Sequence, residues 1–212
     1  MSNEIILLSG GTGVGTSTFS LELAKVLGIN AIISTDYIRE AVRGLISPNV
    51  FPALGKSTYV AGQTKNYGAK EEDVQKAEII RGYKTQCTFL APSIEGIIRR
   101  AIRENVSIII EGVHLVPGRF QESGLFDISQ GRIVEYFLYV SDPEIHKSRF
   151  TPRQEEAPDR VIDKYLTNFK EIRWIHDYML ERAQRFSDTI NSFDNICSKK
   201  QVLDQILRAH YS

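Results

Sequence analysis

The chain has 212 residues, 26 basic and 26 acidic side chains, and 42% hydrophobic residues. Nothing in that balance points to nucleic acid or an anionic membrane face as a partner. There is no apolar run of membrane-spanning length and no basic-then-apolar N-terminal signal, and the two cysteines, Cys87 and Cys197, stand alone without metal-ligand spacing. A cytoplasmic, enzyme-sized domain spanning 1–212 is expected, and a homodimer is compatible with that size.

Taken in chain order, strands are expected at 5–8, 31–34, 107–110 and 133–140, with a weaker one at 189–193. Helices are expected at 17–27, 35–45, 70–89, 93–105, 159–186 and 200–210. Such alternation specifies an α/β fold: a parallel five-stranded sheet with helices on both faces. Gly28 ends the first helix, and Pro48 and Pro52 bound the start of an irregular stretch, 48–68, rich in Gly, Pro, Ser and Tyr. Loops of that length in compact domains are commonly functional.

The first strand runs into Gly10-Gly11-Thr12-Gly13-Val14-Gly15-Thr16-Ser17-Thr18. This matches the phosphate-cradling pattern G-x-x-x-x-G-K-[ST] everywhere but at Thr16, where the pattern has lysine. The glycines let successive N–H groups converge on one anion, and the following helix aims its positive end at the same place. Ser17 supplies a hydroxyl suited to Mg²⁺ between the terminal phosphates of ATP. What Thr16 removes is a mobile positive charge.

Ligands of open α/β sheets sit beyond the carboxyl ends of the strands. The second strand ends at Ser34-Thr35-Asp36, and Asp36, Arg39 and Arg43 share one helix face, a general base beside an anion clamp. The alternative is that Asp36 merely caps the helix. The third strand ends at Glu111, a candidate Mg²⁺ or substrate ligand, with His114 three residues on, either at the substrate or structural. After the fourth strand comes a basic segment carrying Arg149 and Arg153, expected to act as a short lid over 142–159 and to replace the charge missing at Thr16.

The runs GGTGVGTST, ISTDYIREAVRG, GYKTQ, EGVHLVPG and HKSRFTPR, in that order, resemble the archaeal 2-phosphoglycerate kinase family. The resemblance implies a nucleoside-monophosphate-kinase-like P-loop fold, ATP with Mg²⁺, and a small phosphorylated acid as acceptor. It assigns Asp36 to the acceptor hydroxyl, Arg39 and Arg43 to its phosphate or carboxylate, and Arg149 and Arg153 to the lid. A divergent branch phosphorylates mevalonate 3-phosphate, and either acceptor fits an arginine-rich site. Two alternatives stay open: a nucleotide-binding protein without turnover, because of Thr16, and a nucleoside or nucleotide kinase. For the latter, Tyr59 and Tyr67 are the loop aromatics available to stack on a base.

Overall fold

A computed structural model of the chain describes residues 4–47, 49–124, 133–150 and 163–211. β1 (Ile5–Gly10) is followed by α1 (Thr16–Leu27), β2 (Ala31–Ser34) and α2 (Thr35–Leu45). Three short 3-10 turns, at Pro52–Gly55, Thr58–Val60 and Tyr67–Ala69, lead into α3 (Glu72–Glu104) and β3 (Ile108–Gly112). Then come α4 (Arg119–Ser123), β4 (Ile133–Tyr139), α5 (Pro143–Ser148), α6 (Asp163–Thr167), α7 (Phe169–Arg185), β5 (Ile190–Asp194) and α8 (Lys199–Tyr211). No helix among the described residues is long and apolar enough to cross a membrane.

The strands form one parallel sheet in the order β2-β3-β1-β4-β5. β1 lies in its centre and is buried at every position. Ile5 and Leu7 pack with Ile38, Leu90, Ile94 and Ile98 of α2 and α3, whereas Ile6 and Leu8 pack with Phe19, Leu23, Val202 and Ile206 of α1 and α8. A continuous apolar run is what a strand covered on both faces needs. Each such side chain contributes roughly 1.5–3 kcal/mol by leaving water.

Two expectations of helix extent are corrected. The helices expected at 70–89 and 93–105 are one 33-residue helix, α3, running through Pro92. Proline removes the N–H that would bond the Thr88 carbonyl, but Thr88 and Pro92 both lie on the exposed side, where water can take that carbonyl. The single helix expected at 159–186 is instead α6 and α7, separated at Asn168, whose φ of −107° and ψ of 24° depart from helix; residues 159–162 lie outside the described residues.

The described part of the stretch 48–68, residues 49–68, is packed rather than free. Leu54, Thr58 and Tyr59 are buried. Gln86 of α3 donates from Nε2 to the carbonyls of Ala53 and Lys56. Gly62 lies directly on Gly82: a Cβ added to Gly82 would fall 2.2 Å from the Gly62 nitrogen. Only glycine permits backbones to approach so closely, so α3 carries this stretch on its side.

Candidate active site

At the carboxyl edge of β1 the chain turns through Gly13 (φ 87°) and Gly15 (φ 100°), both left-handed, before α1 begins. No side chain caps α1. Its first N–H groups therefore face the turn as an anion site, reinforced by the helix dipole. Thr16 is buried, and a Cβ on Gly10 would meet its methyl at 2.9 Å. The residue at the lysine position thus fills the base of the loop and does not reach over the phosphates.

Ser17 Oγ donates to Glu111 Oε1 at 3.2 Å. Glu111 is 3% exposed, and no cationic side chain among the described residues pairs with it. A carboxylate that deep without a counter-charge is costly. Together the two residues present hard oxygen donors of the sort that Mg²⁺ takes. The sheet register sets this pair beside the start of α2: Glu111 lies between Leu8 of β1 and Ser34 of β2, two residues before Asp36.

Ser34, not Asp36, caps α2, its Oγ accepting from the Asp36 N–H at 3.3 Å. Asp36 follows in the first turn, where its charge also favours the helix dipole. Its carboxylate is 63% exposed, with Oδ1 3.9 Å from His114 Nδ1. Arg39 is 15% exposed; Nη1 donates to the Lys56 carbonyl, Nη2 pairs with Glu40 at 2.9 Å, and Nε is buried without a partner. Arg43 is 46% exposed and pairs with Glu40. Of the two arginines on this face, Arg39 is the one held in place.

His114, one of whose expected places was at the substrate, is closed off. It is 1% exposed, with Nε2 3.3 Å from Thr58 Oγ1 and Nδ1 3.2 Å from Thr35 Oγ1. Burial pushes its pKa down to about 4, so the ring is neutral at pH 7. It pins the turn at Thr58 to the start of α2. The loop aromatics are equally committed: Tyr59 is buried beside Tyr165, and Tyr67 donates to Glu171 at 3.2 Å. Tyr59 is thus enclosed, whereas the Tyr67 ring is half-buried and tethered by its hydroxyl.

Arg149 does not project into the cradle. It donates to the carbonyls of Val14 (3.2 Å) and Asn195. Loop N–H groups point inward at an anion, so a guanidinium on loop carbonyls lies outside the cradle. Phe150 closes the same flank, its ring 2.5 Å from where a Gly13 Cβ would be. Arg153, and the expected lid beyond residue 150, lie outside the described residues.

The residues that sequence reasoning missed are His146, Arg173, His176 and Asp177. His146 Nε2 lies 2.8 Å from the Thr12 carbonyl, and Arg173 Nη1 donates to the Val140 carbonyl at 2.8 Å. The one available signal was the Arg-x-x-His-Asp run on a helical face, 160 residues from the loop it serves.

The chain is 39% identical over 180 residues to the 2-phosphoglycerate kinase of Methanococcus maripaludis, covering 85% of this chain and 56% of that protein. The 2-phosphoglycerate kinase of Methanopyrus kandleri is 34% identical over 204 residues, covering 96% and 59%, and that of Pyrococcus horikoshii is 37% identical over 183 residues, covering 86% and 57%. The chain is a relative of the archaeal 2-phosphoglycerate kinases. It spans 56–59% of the length of these three kinases. No protein-family model matches. Among solved structures, a gluconokinase from Sinorhizobium meliloti superposes with a TM-score of 0.50 at 11% identity, covering 99% of this chain and 93% of that one. That likeness concerns the fold, a P-loop kinase architecture.

Proposed function

We propose that the chain is an ATP-dependent kinase that transfers the γ-phosphoryl group to a hydroxyl of a small hydroxy acid already carrying one phosphate. The observation that carries this reading is the Ser17–Glu111 pair at 3.2 Å beneath the glycine loop, joined by strand register to Asp36. The names of the curated relatives make 2-phosphoglycerate the first acceptor to test. Mevalonate 3-phosphate, which also carries a phosphate and a carboxylate, is the second.

Each residue then has a defined task. The loop N–H groups and the N-terminus of α1 bind the phosphates of ATP. Ser17 and Glu111 would hold Mg²⁺, which when bound neutralises charge on the β- and γ-phosphates. Asp36 takes the proton of the acceptor hydroxyl as its oxygen bonds to the γ-phosphorus and the bond to the ADP oxygen breaks. Arg39, with an unpartnered Nε, binds the acceptor's phosphate or carboxylate.

The test is a coupled ADP-release assay with 2-phosphoglycerate, mevalonate 3-phosphate, nucleosides and a blank without acceptor. Turnover with one phosphorylated acid supports the reading, and turnover with a nucleoside alone overturns it. Thr16 at the lysine position favours a second reading, a nucleotide-binding protein without turnover. That reading would be recognised by Mg²⁺-dependent ADP binding with no acceptor consumed.

A further inference from the structure

β4 outruns β1 at the carboxyl edge of the sheet: the ladder between them ends at Gly10 and Leu138, leaving Val140 beyond it. Side chains of α7 take over there. The Val140 N–H donates to His176 Nε2 at 3.1 Å, and its carbonyl accepts from Arg173 Nη1 at 2.8 Å. Asp177 joins the two, accepting from Arg173 Nη2 at 2.9 Å and from His176 Nδ1 at 2.8 Å. Because a backbone N–H can only donate, His176 carries its proton on Nδ1. A side chain at Gly11 would meet the Cβ of His176 at 3.3 Å, so this cluster lies directly against the loop entry.

The same arginine reaches the middle of the loop through His146. Arg173 Nη1 lies 3.3 Å from His146 Nδ1, and His146 Nε2 lies 2.8 Å from the Thr12 carbonyl. A guanidinium only donates and a carbonyl only accepts. His146 is therefore neutral, with its proton on Nε2 and its Nδ1 lone pair toward Arg173. The ring is fully buried, tilted against Phe150 and His176 and edge-on to Phe169. Every partner in the chain from Asp177 to Thr12 is thus fixed in one hydrogen-bond direction.

We propose that Arg173 and His146 are positioning residues that hold the phosphate loop in its anion-binding shape from outside, and that this strut is what allows the loop to carry Thr16 in place of lysine. The proposal rests on the reading of the loop as the nucleotide site. It differs from the expected charge replacement by a lid arginine, because the strut supplies shape to the loop and no direct contact to the phosphates. With Thr12 tied back by its carbonyl, and the Val14 N–H donated to the Gly11 carbonyl at 3.2 Å, the loop keeps its turn and the N–H groups of Gly13 and Gly15 stay convergent without a cation above them.

The experiment is titration calorimetry of MgADP on the full chain, with KM for ATP and for the acceptor measured in parallel. His146→Ala and Arg173→Ala are expected to weaken MgADP binding about tenfold or more and to raise KM for ATP while leaving KM for the acceptor within about twofold. His146→Gln, whose amide N–H can still donate to Thr12, is expected to recover most of the affinity. In a Thr16→Lys background the Arg173→Ala loss is expected to shrink to less than about threefold. Circular dichroism melts identify a variant that fails to fold, in which case His146→Gln and the Thr16→Lys pair decide. Unchanged MgADP affinity in both alanine variants, or equal losses with and without Thr16→Lys, would overturn the strut. Failure of the wild-type chain to bind MgADP at all would overturn the nucleotide-site reading and the strut with it.

Discussion

Glu111→Gln separates function from fold at a single atom. Glu111 is 3% exposed, and its carboxylate accepts the Ser17 hydroxyl at 3.2 Å without a cationic partner among the described residues. Glutamine keeps the shape and, through its amide oxygen, keeps that hydrogen bond. The substitution exchanges a buried charge for a buried dipole, which is cheaper to desolvate. The ligand-free protein is expected to be as stable as the wild type or more stable by about 1 kcal/mol, a rise of about 2–4 °C in melting temperature for a chain of this size. Nucleotide should reveal the loss. At a hundredfold excess over Kd, MgADP is expected to add about 2.7 kcal/mol to the wild type, or about 5–10 °C. In Glu111→Gln most of that gain, and its dependence on Mg²⁺, should vanish. Thermal melts with ADP, with and without Mg²⁺, read both quantities. A variant several degrees less stable that retains the full Mg²⁺-dependent shift would show Glu111 to be structural and refute the reasoning.

Asp36→Asn should lower kcat by about 10²-fold or more while KM for ATP changes little, as steady-state kinetics with saturating acceptor would show; near wild-type turnover would remove Asp36 from the chemistry. Arg39→Lys should raise the acceptor KM about tenfold, since lysine cannot reproduce a bidentate guanidinium contact, whereas Arg43→Lys, on an exposed pair with Glu40, should change it less than about threefold. Equal effects of the two would contradict the placement of Arg39. Stability should also depend on pH. Burial lowers His114 and His146 from 6.5 to about 4, so the unfolded chain binds more protons there and stability rises with pH between 4 and 6.5. Burial raises Glu135 to about 7, so its contribution falls as pH rises from 4.5 to 7. Two histidines outweigh one carboxyl, and urea midpoints should climb from pH 5 to 6.5, more steeply in Glu135→Gln; a flat or falling profile would refute this balance.

The sequence alone determined the parts whose signals are local. An apolar run straight into four glycines within six residues has few conformations open to it except a buried strand and a phosphate loop, and β1, the loop and α1 lie where the pattern put them. The alternation of apolar runs and amphipathic stretches likewise fixed a parallel sheet with helices on both faces. Asp36 and Glu111 were legible because strand ends in such sheets converge.

Tertiary structure decided everything that depends on which distant side chain arrives at a backbone group. Pro92 reads as a break in sequence, yet an exposed carbonyl partner lets α3 continue through it. His114 reads equally as ligand or support until Thr35 and Thr58 are seen to take both its nitrogens. The strut from Asp177 through Arg173 and His146 to Thr12 leaves only the Arg-x-x-His-Asp run as a trace in the chain, and nothing in that run points to the loop. Hydrogen bonds to main-chain atoms need a donor at the right point in space and impose no spacing on the sequence, so only the folded sheet, by leaving Val140 and Thr12 without strand partners, gives those residues their work.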